Sequence, residues 1–122
     1  MYNPNPMNRK TDDCSVRALT KALGLSWDDV YLELVSEGFK VKKMPSSKSV
    51  VNRVLRQHGF KGRVIPDSCP DCYTMEDFCQ DHPSGTYVLA GDDHIVTIVD
   101  GRIYDTWDSR DEVPLFYWER ET

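Results

Sequence analysis

No run of apolar residues in this 122-residue chain approaches the roughly 20 that a membrane-spanning helix requires. The opening segment, Met-Tyr-Asn-Pro-Asn-Pro, has neither the basic nor the apolar region of a secretory signal, so the expectation is a cytoplasmic protein, or one delivered by other means. Without such a signal the four cysteines read as reduced thiols rather than as two disulfides. There is no excess of positive charge either. The formal net charge is −5 and the basic residues are scattered, apart from a cluster at Lys40, Lys42 and Lys43 that reads as a solvated loop. That balance argues against a general nucleic-acid binder, because phosphate contacts need a basic surface. Internal repeats and linkers are missing as well. One domain over residues 1–122 is expected, long enough to bury a core without staples, with the oligomeric state left open.

What is present reads as helices first and strands last. Residues 1–10 are rich in Pro and Asn and read as an extended arm. Thr11-Asp12-Asp13 offers N-caps for a helix from about Cys14 to Leu23, with Val16, Leu19 and Leu23 on one side and Gly24 as its stop. Ser26, with Asp29 three residues on, starts a second helix to about Ser36, which Gly38 would end. Ser46-Ser47 cap a third helix carrying Val50, Val51, Val54 and Leu55, stopped by Gly59. A short strand at Lys61 to Pro66 follows, then a helix from Thr74 to Gln80 and a strand from Thr86 to Ala90. Pro114 to Glu119 reads as a final edge strand. This order predicts an α+β fold, an antiparallel sheet with helices on one side.

The stretch from His94 to Ser109 carries the chemistry. Asp100-Gly101 lies between two β-rich runs, a strong signal for a type I′ hairpin turn. With those two as the turn, Val99 faces Arg102, Val96 faces Asp105, and His94 faces Trp107. His94, Val96, Asp105 and Trp107 then share one face, which lets Asp105 orient the His94 imidazole. A carboxylate-held histidine is two thirds of a nucleophilic triad. Asp108 falls on the opposite face by parity unless a bulge intervenes.

Cys14 is the candidate nucleophile. It opens the first predicted helix, where backbone N–H groups and the helix dipole favour a thiolate. The plainer alternative is a buried structural cysteine. Asp12 and Asp13 lie just before it and would oppose a thiolate, unless one merely caps the helix and points into solvent, which is the expectation.

The order Cys14, His94, Asp105, with a helix-borne Cys and a strand-borne His, resembles the papain-like cysteine peptidase superfamily. Asp105-Thr106-Trp107 stands where those enzymes carry Asn-Ser-Trp, the Trp shielding the hydrogen bond to the His. They also carry a Gln six residues before the nucleophile, whose amide helps form the oxyanion hole. Here that position is Asn8, an amide on a side chain one methylene shorter. The resemblance covers motifs at both ends of the chain and not residues 40–85. The chain is nearer in size to compact bacteriocin-leader and effector-type members, and it also looks like small proteins of bacteria and their phages. The resemblance implies a papain-like core, a Cys14–His94–Asp105 triad, an oxyanion hole from Asn8 and the Cys14 N–H, Trp107 in support, and no cofactor.

A second constellation competes. Cys69, Cys72, Cys79 and His82 are zinc-type ligands at an unusual spacing. Cys79 and His82 equally fit the core and C-cap of a short helix. A redox role for Cys69 and Cys72 lacks the strand-to-helix context it needs. His58 fits the last turn of its helix and is assigned no chemistry.

The leading expectation is therefore a small thiol hydrolase acting on a peptide or isopeptide bond in a peptide or protein substrate, with acyl transfer as a variant of the same chemistry. The other is a non-enzymatic interaction module, either an inactive papain-like fold or a zinc-stapled adaptor that binds a partner protein.

Overall fold

The computed structural model describes residues 2–7, 13–65, 73–91, 94–106 and 108–120. The order of elements is α1 (Cys14–Leu23), α2 (Trp27–Val41), α3 (Lys48–Gln57), β1 (Phe60–Val64), α4 (Met75–Asp81), β2 (Thr86–Ala90), β3 (Ile95–Val99), β4 (Arg102–Tyr104) and β5 (Phe116–Arg120). This is an α+β architecture. No helix among the described residues is long and apolar enough to cross a membrane.

The helix boundaries follow from local chemistry. Helix α1 stops at Gly24, which takes φ 68° and donates its N–H to the Thr20 carbonyl. Ser26 starts α2 by accepting the Asp29 N–H, and Ser47 starts α3 by accepting that of Val50. Thr74 and Asp77 close a reciprocal capping box on α4. Helix α2 departs from expectation, running through Gly38 to Val41 and ending at Lys42. Gly38 serves packing instead of termination: a Cβ there would meet the Lys43 carbonyl oxygen at 2.6 Å.

The five strands form one antiparallel sheet in the order β1-β5-β2-β3-β4. The last strand is therefore not an edge. Strand β5 pairs with β1 on one side and β2 on the other. Pro114 lies just outside β5, so it removes no hydrogen bond from the ladder and gives no reason for an edge position.

Side chains alternate across the sheet and build two cores. On one face Val88, Ala90, Ile95 and Trp118 pack with Leu19, Leu34, Val51 and Leu55 from α1, α2 and α3. On the other, Leu89, Val96 and Ile98 pack with Met75 and Phe78 from α4. The expectation of helices on one side thus holds for three of them; α4 covers the opposite face, because both faces of the inner strands are apolar. Trp118 anchors the larger core, with its indole N–H donated to Asn52 at 2.9 Å.

Over its three pairs the hairpin keeps the predicted register; the expected Val96–Asp105 pair lies beyond the ladder, and Trp107, the expected partner of His94, lies outside the described residues. Asp100 and Gly101 take φ 50° and 77°, as a type I′ turn requires. Val99 pairs with Arg102, Ile98 with Ile103 and Thr97 with Tyr104, where the ladder ends. Asp105 lies one residue beyond it. The N-terminal arm reaches the same place: the Tyr2 N–H donates to the Asp105 carbonyl at 2.9 Å, and the Tyr2 ring meets Tyr104 edge-on.

Candidate active site

Three segments converge at the start of α1. The β3–β4 hairpin brings His94 to Asp105, and the imidazole Nε2 hydrogen-bonds the Asp105 carboxylate. Both side chains are buried, each residue 5% exposed. That bond commits Nε2 to the carboxylate and leaves the Nδ1 edge of the ring for the Cys14 thiol, which hydrogen-bonds His94. Cys14 is half-buried, the least enclosed residue of the three.

Electrostatics at the three residues are mutually consistent. Burial pushes the Cys14 thiol up, but the bond to His94, the Ile95 N–H and the charges of His94 and Arg17 together bring it below its ordinary value. Burial pulls His94 down, yet its bonds to Asp105 and Cys14 raise it to about 9. Burial likewise raises Asp105, and His94 together with the Thr106 N–H more than reverses that, leaving its carboxyl low. At neutral pH these directions favour a thiolate beside an imidazolium.

The helix start adds to this. The first rung of α1 is the Arg17 N–H to the Asp13 carbonyl, so the N–H groups of Cys14, Ser15 and Val16 lie ahead of the ladder. Asp13 occupies the N-cap position without capping: its side chain makes no cap hydrogen bond. It is also not in solvent, and Asp12, the other acid to which that expectation could apply, lies outside the described residues. Asp13 is 7% exposed, paired with Arg17 through one oxygen and accepting the Trp27 indole N–H at 2.9 Å through the other. Turning away from the helix end, it leaves the positive end of the dipole to the sulfur.

Arg17 and Trp27 are the residues that sequence reasoning missed. Arg17 is almost fully buried and donates to both Asp13 and Asp105, the latter at 3.3 Å. The available signal was the Asp13–Arg17 spacing of one helical turn, with an arginine amid the apolar positions of α1. Ser109 is a further neighbour. Its hydroxyl is buried without a well-directed hydrogen bond, but it lies near enough to Asp105 to help hold that carboxyl down.

Other candidates separate from this cluster. Asp108 is exposed and pairs with Arg110, so Asp105 is the acid that meets the histidine. Asn8, Trp107, Cys69 and Cys72 lie outside the described residues. Cys79 and His82 are described: His82 is the C-cap of α4, its Nδ1 meets the Phe78 carbonyl at 3.1 Å, and its ring stacks on Phe78. His58 caps α3 and pairs with Glu33 on α2.

Two hollows border the site. One of about 670 Å³, walled by Tyr2, Cys79, Tyr104, Asp105 and Ser109, touches the acid but neither the sulfur nor the imidazole. Another of about 250 Å³, between Val16, Trp27, Tyr31 and Leu34, flanks the residues on either side of Cys14. Comparisons with protein-family models, with curated proteins and with solved structures find no match to this chain.

Proposed function

We propose that this chain is a small papain-like thiol hydrolase that cleaves a peptide or isopeptide bond through an acyl-enzyme. The observation that carries the reading is the His94–Asp105 hydrogen bond beside Cys14 at the N-terminus of α1, with the imidazole lowering the thiol's proton affinity. In this mechanism the Cys14 thiolate attacks the substrate carbonyl, and N–H groups of the first turn of α1 face the developing oxyanion. Imidazolium His94 then gives its proton to the leaving amine. The acyl-enzyme remains, and His94, now neutral, takes a proton from the water that hydrolyses it. Asp105 fixes the ring orientation and stabilises the imidazolium throughout. Asn8 and Trp107 keep their proposed parts, as a second oxyanion donor and as a shield over the His94–Asp105 bond. Transfer to an amine instead of water uses the same steps.

An activated ester tests this directly. Incubation should give a burst and a mass increase of one acyl group on the Cys14 peptide, lost in Cys14→Ala and His94→Ala. No adduct, together with a Cys14 no more reactive than the other cysteines, would overturn the reading. One observation favours the interaction module instead: Leu32 and Phe39, two turns apart on the outer side of α2, are 64% and 72% exposed. Binding of a partner unaffected by Cys14→Ala, in a protein that forms no acyl adduct, would support it.

A further inference from the structure

Arg17 stands one turn after Cys14 on α1, so its stem runs beneath the nucleophile. Its guanidinium bridges two carboxylates that come from distant parts of the chain, Asp13 just before the helix and Asp105 beyond β4. All three side chains are at most 6% exposed. In the ion-pair state the charged groups that meet at the site among the described residues are the Cys14 thiolate, Asp13 and Asp105 against the His94 imidazolium and Arg17. Without Arg17, three negative charges would face a single positive one in a poorly solvated place, and such an arrangement takes up protons. Asp105 offers one oxygen to His94 and the other to Arg17 and the Thr106 N–H. Its carboxylate plane is therefore held from both ends.

We infer that Arg17 is a positioning residue for the triad: its planar fork holds Asp105 against His94 and ties that acid to the helix that carries the nucleophile. The inference rests on the proposed thiol-hydrolase reading. It also gives Asp13 a purpose. The Trp27–Asp13 bond fixes the carboxylate that one arm of the fork meets, while the other arm meets Asp105. Lysine would keep the charge but not the two-pronged geometry.

The test is the pH dependence of iodoacetamide alkylation at Cys14, mapped by mass spectrometry on the full chain. In Arg17→Gln the midpoint should rise by about one unit, so the rate at pH well below the parent's midpoint falls about tenfold while the plateau at high pH is kept. Arg17→Lys should fall between the two. Adding Asp105→Ala to Arg17→Gln should cost less than the two single changes combined, because both act through one carboxylate. A purely structural arginine would lower the melting temperature and leave the midpoint in place. An Arg17→Gln profile that superimposes on the parent overturns the clamp; if that variant does not fold, a parental profile in Arg17→Lys does so, as does full additivity with Asp105→Ala. Failure of the underlying reading looks different: His94→Ala would then leave the parent's profile unmoved.

Discussion

Thr97 donates its side-chain hydroxyl to the carbonyl of Ala18, so the strand that follows His94 grips the helix that begins at Cys14. Neither residue belongs to the proposed triad, yet this buried bond ties together the two elements that carry its halves. Thr97→Val keeps the shape and removes the donor. It should cost about 1 kcal/mol in urea unfolding, and Cys14 should alkylate more slowly near neutral pH. Thr97→Ser should behave as the parent. Unchanged alkylation in a destabilised Thr97→Val would separate docking from reactivity.

Cys14 should be the fastest-reacting thiol of the folded chain well below the unperturbed thiol value of about 8.5. The pH sign is fixed by the shift: its pKa is lowered, so the thiolate persists as pH falls and is lost only below the depressed value. His94→Ala removes the largest of the lowering influences, and the midpoint should move up toward about 8.5. Cys79, whose thiol is raised by burial and by Glu76, should react slowly at neutral pH in both proteins. A rate for Cys79 equal to that of Cys14 would contradict the assignment of the nucleophile.

Substitutions at the two nearby acids should separate sharply. Asp105→Asn retains an oxygen for the imidazole, so turnover of an activated ester should fall only in part. Asp105→Ala removes the group that orients the ring and should cost on the order of a hundredfold or more. Asp108→Ala should change little, since Asp108 is exposed and paired with Arg110. Equal losses at 105 and 108 would show that the hairpin geometry does not govern the reaction.

Away from the site, Glu37 gives the clearest acid dependence. It is buried between α2 and α3 and accepts from Lys40, Arg53 and Gln57, which together hold its pKa at about 2. Its folded pKa is below its unfolded one, so its contribution is full above about pH 4.5 and fades as pH falls toward 2. Glu37→Gln should therefore lower the urea midpoint at pH 7, and the gap from the parent should narrow between pH 4 and 2.5. A gap that stays constant over that range would mean the charge is not what matters.

The parts of this architecture that were legible from residue order are those decided within a few positions. The start and end of α1, the caps at Ser26, Ser47 and Thr74, and the Asp100-Gly101 turn each depend on neighbours in sequence. The hairpin register then brought His94 and Asp105 together by counting alone. Strand order was not legible. Whether Phe116–Arg120 lies at an edge or between two partners depends on β1, more than fifty residues earlier. The placement of α4 escaped for the same reason. The burial of Asp13 was not legible because its alternatives, solvent and a buried arginine, differ only in tertiary contacts. Arg17 was overlooked because the one local signal, Asp13 a helical turn before it, equally fits an ordinary ion pair on a solvated helix face.

The two halves of the candidate site have very different origins along the chain. His94 and Asp105 are joined by a two-residue turn, and a hairpin of that size closes in about 1–10 μs. Cys14 lies far upstream and meets the hairpin only when α1 settles against β3, a step that must close a long loop. The imidazole can thus be held by its carboxylate long before any thiol is near it. During refolding, fast alkylation of Cys14 would mark the arrival of the helix on the sheet, and the nucleophile itself becomes a clock for assembly.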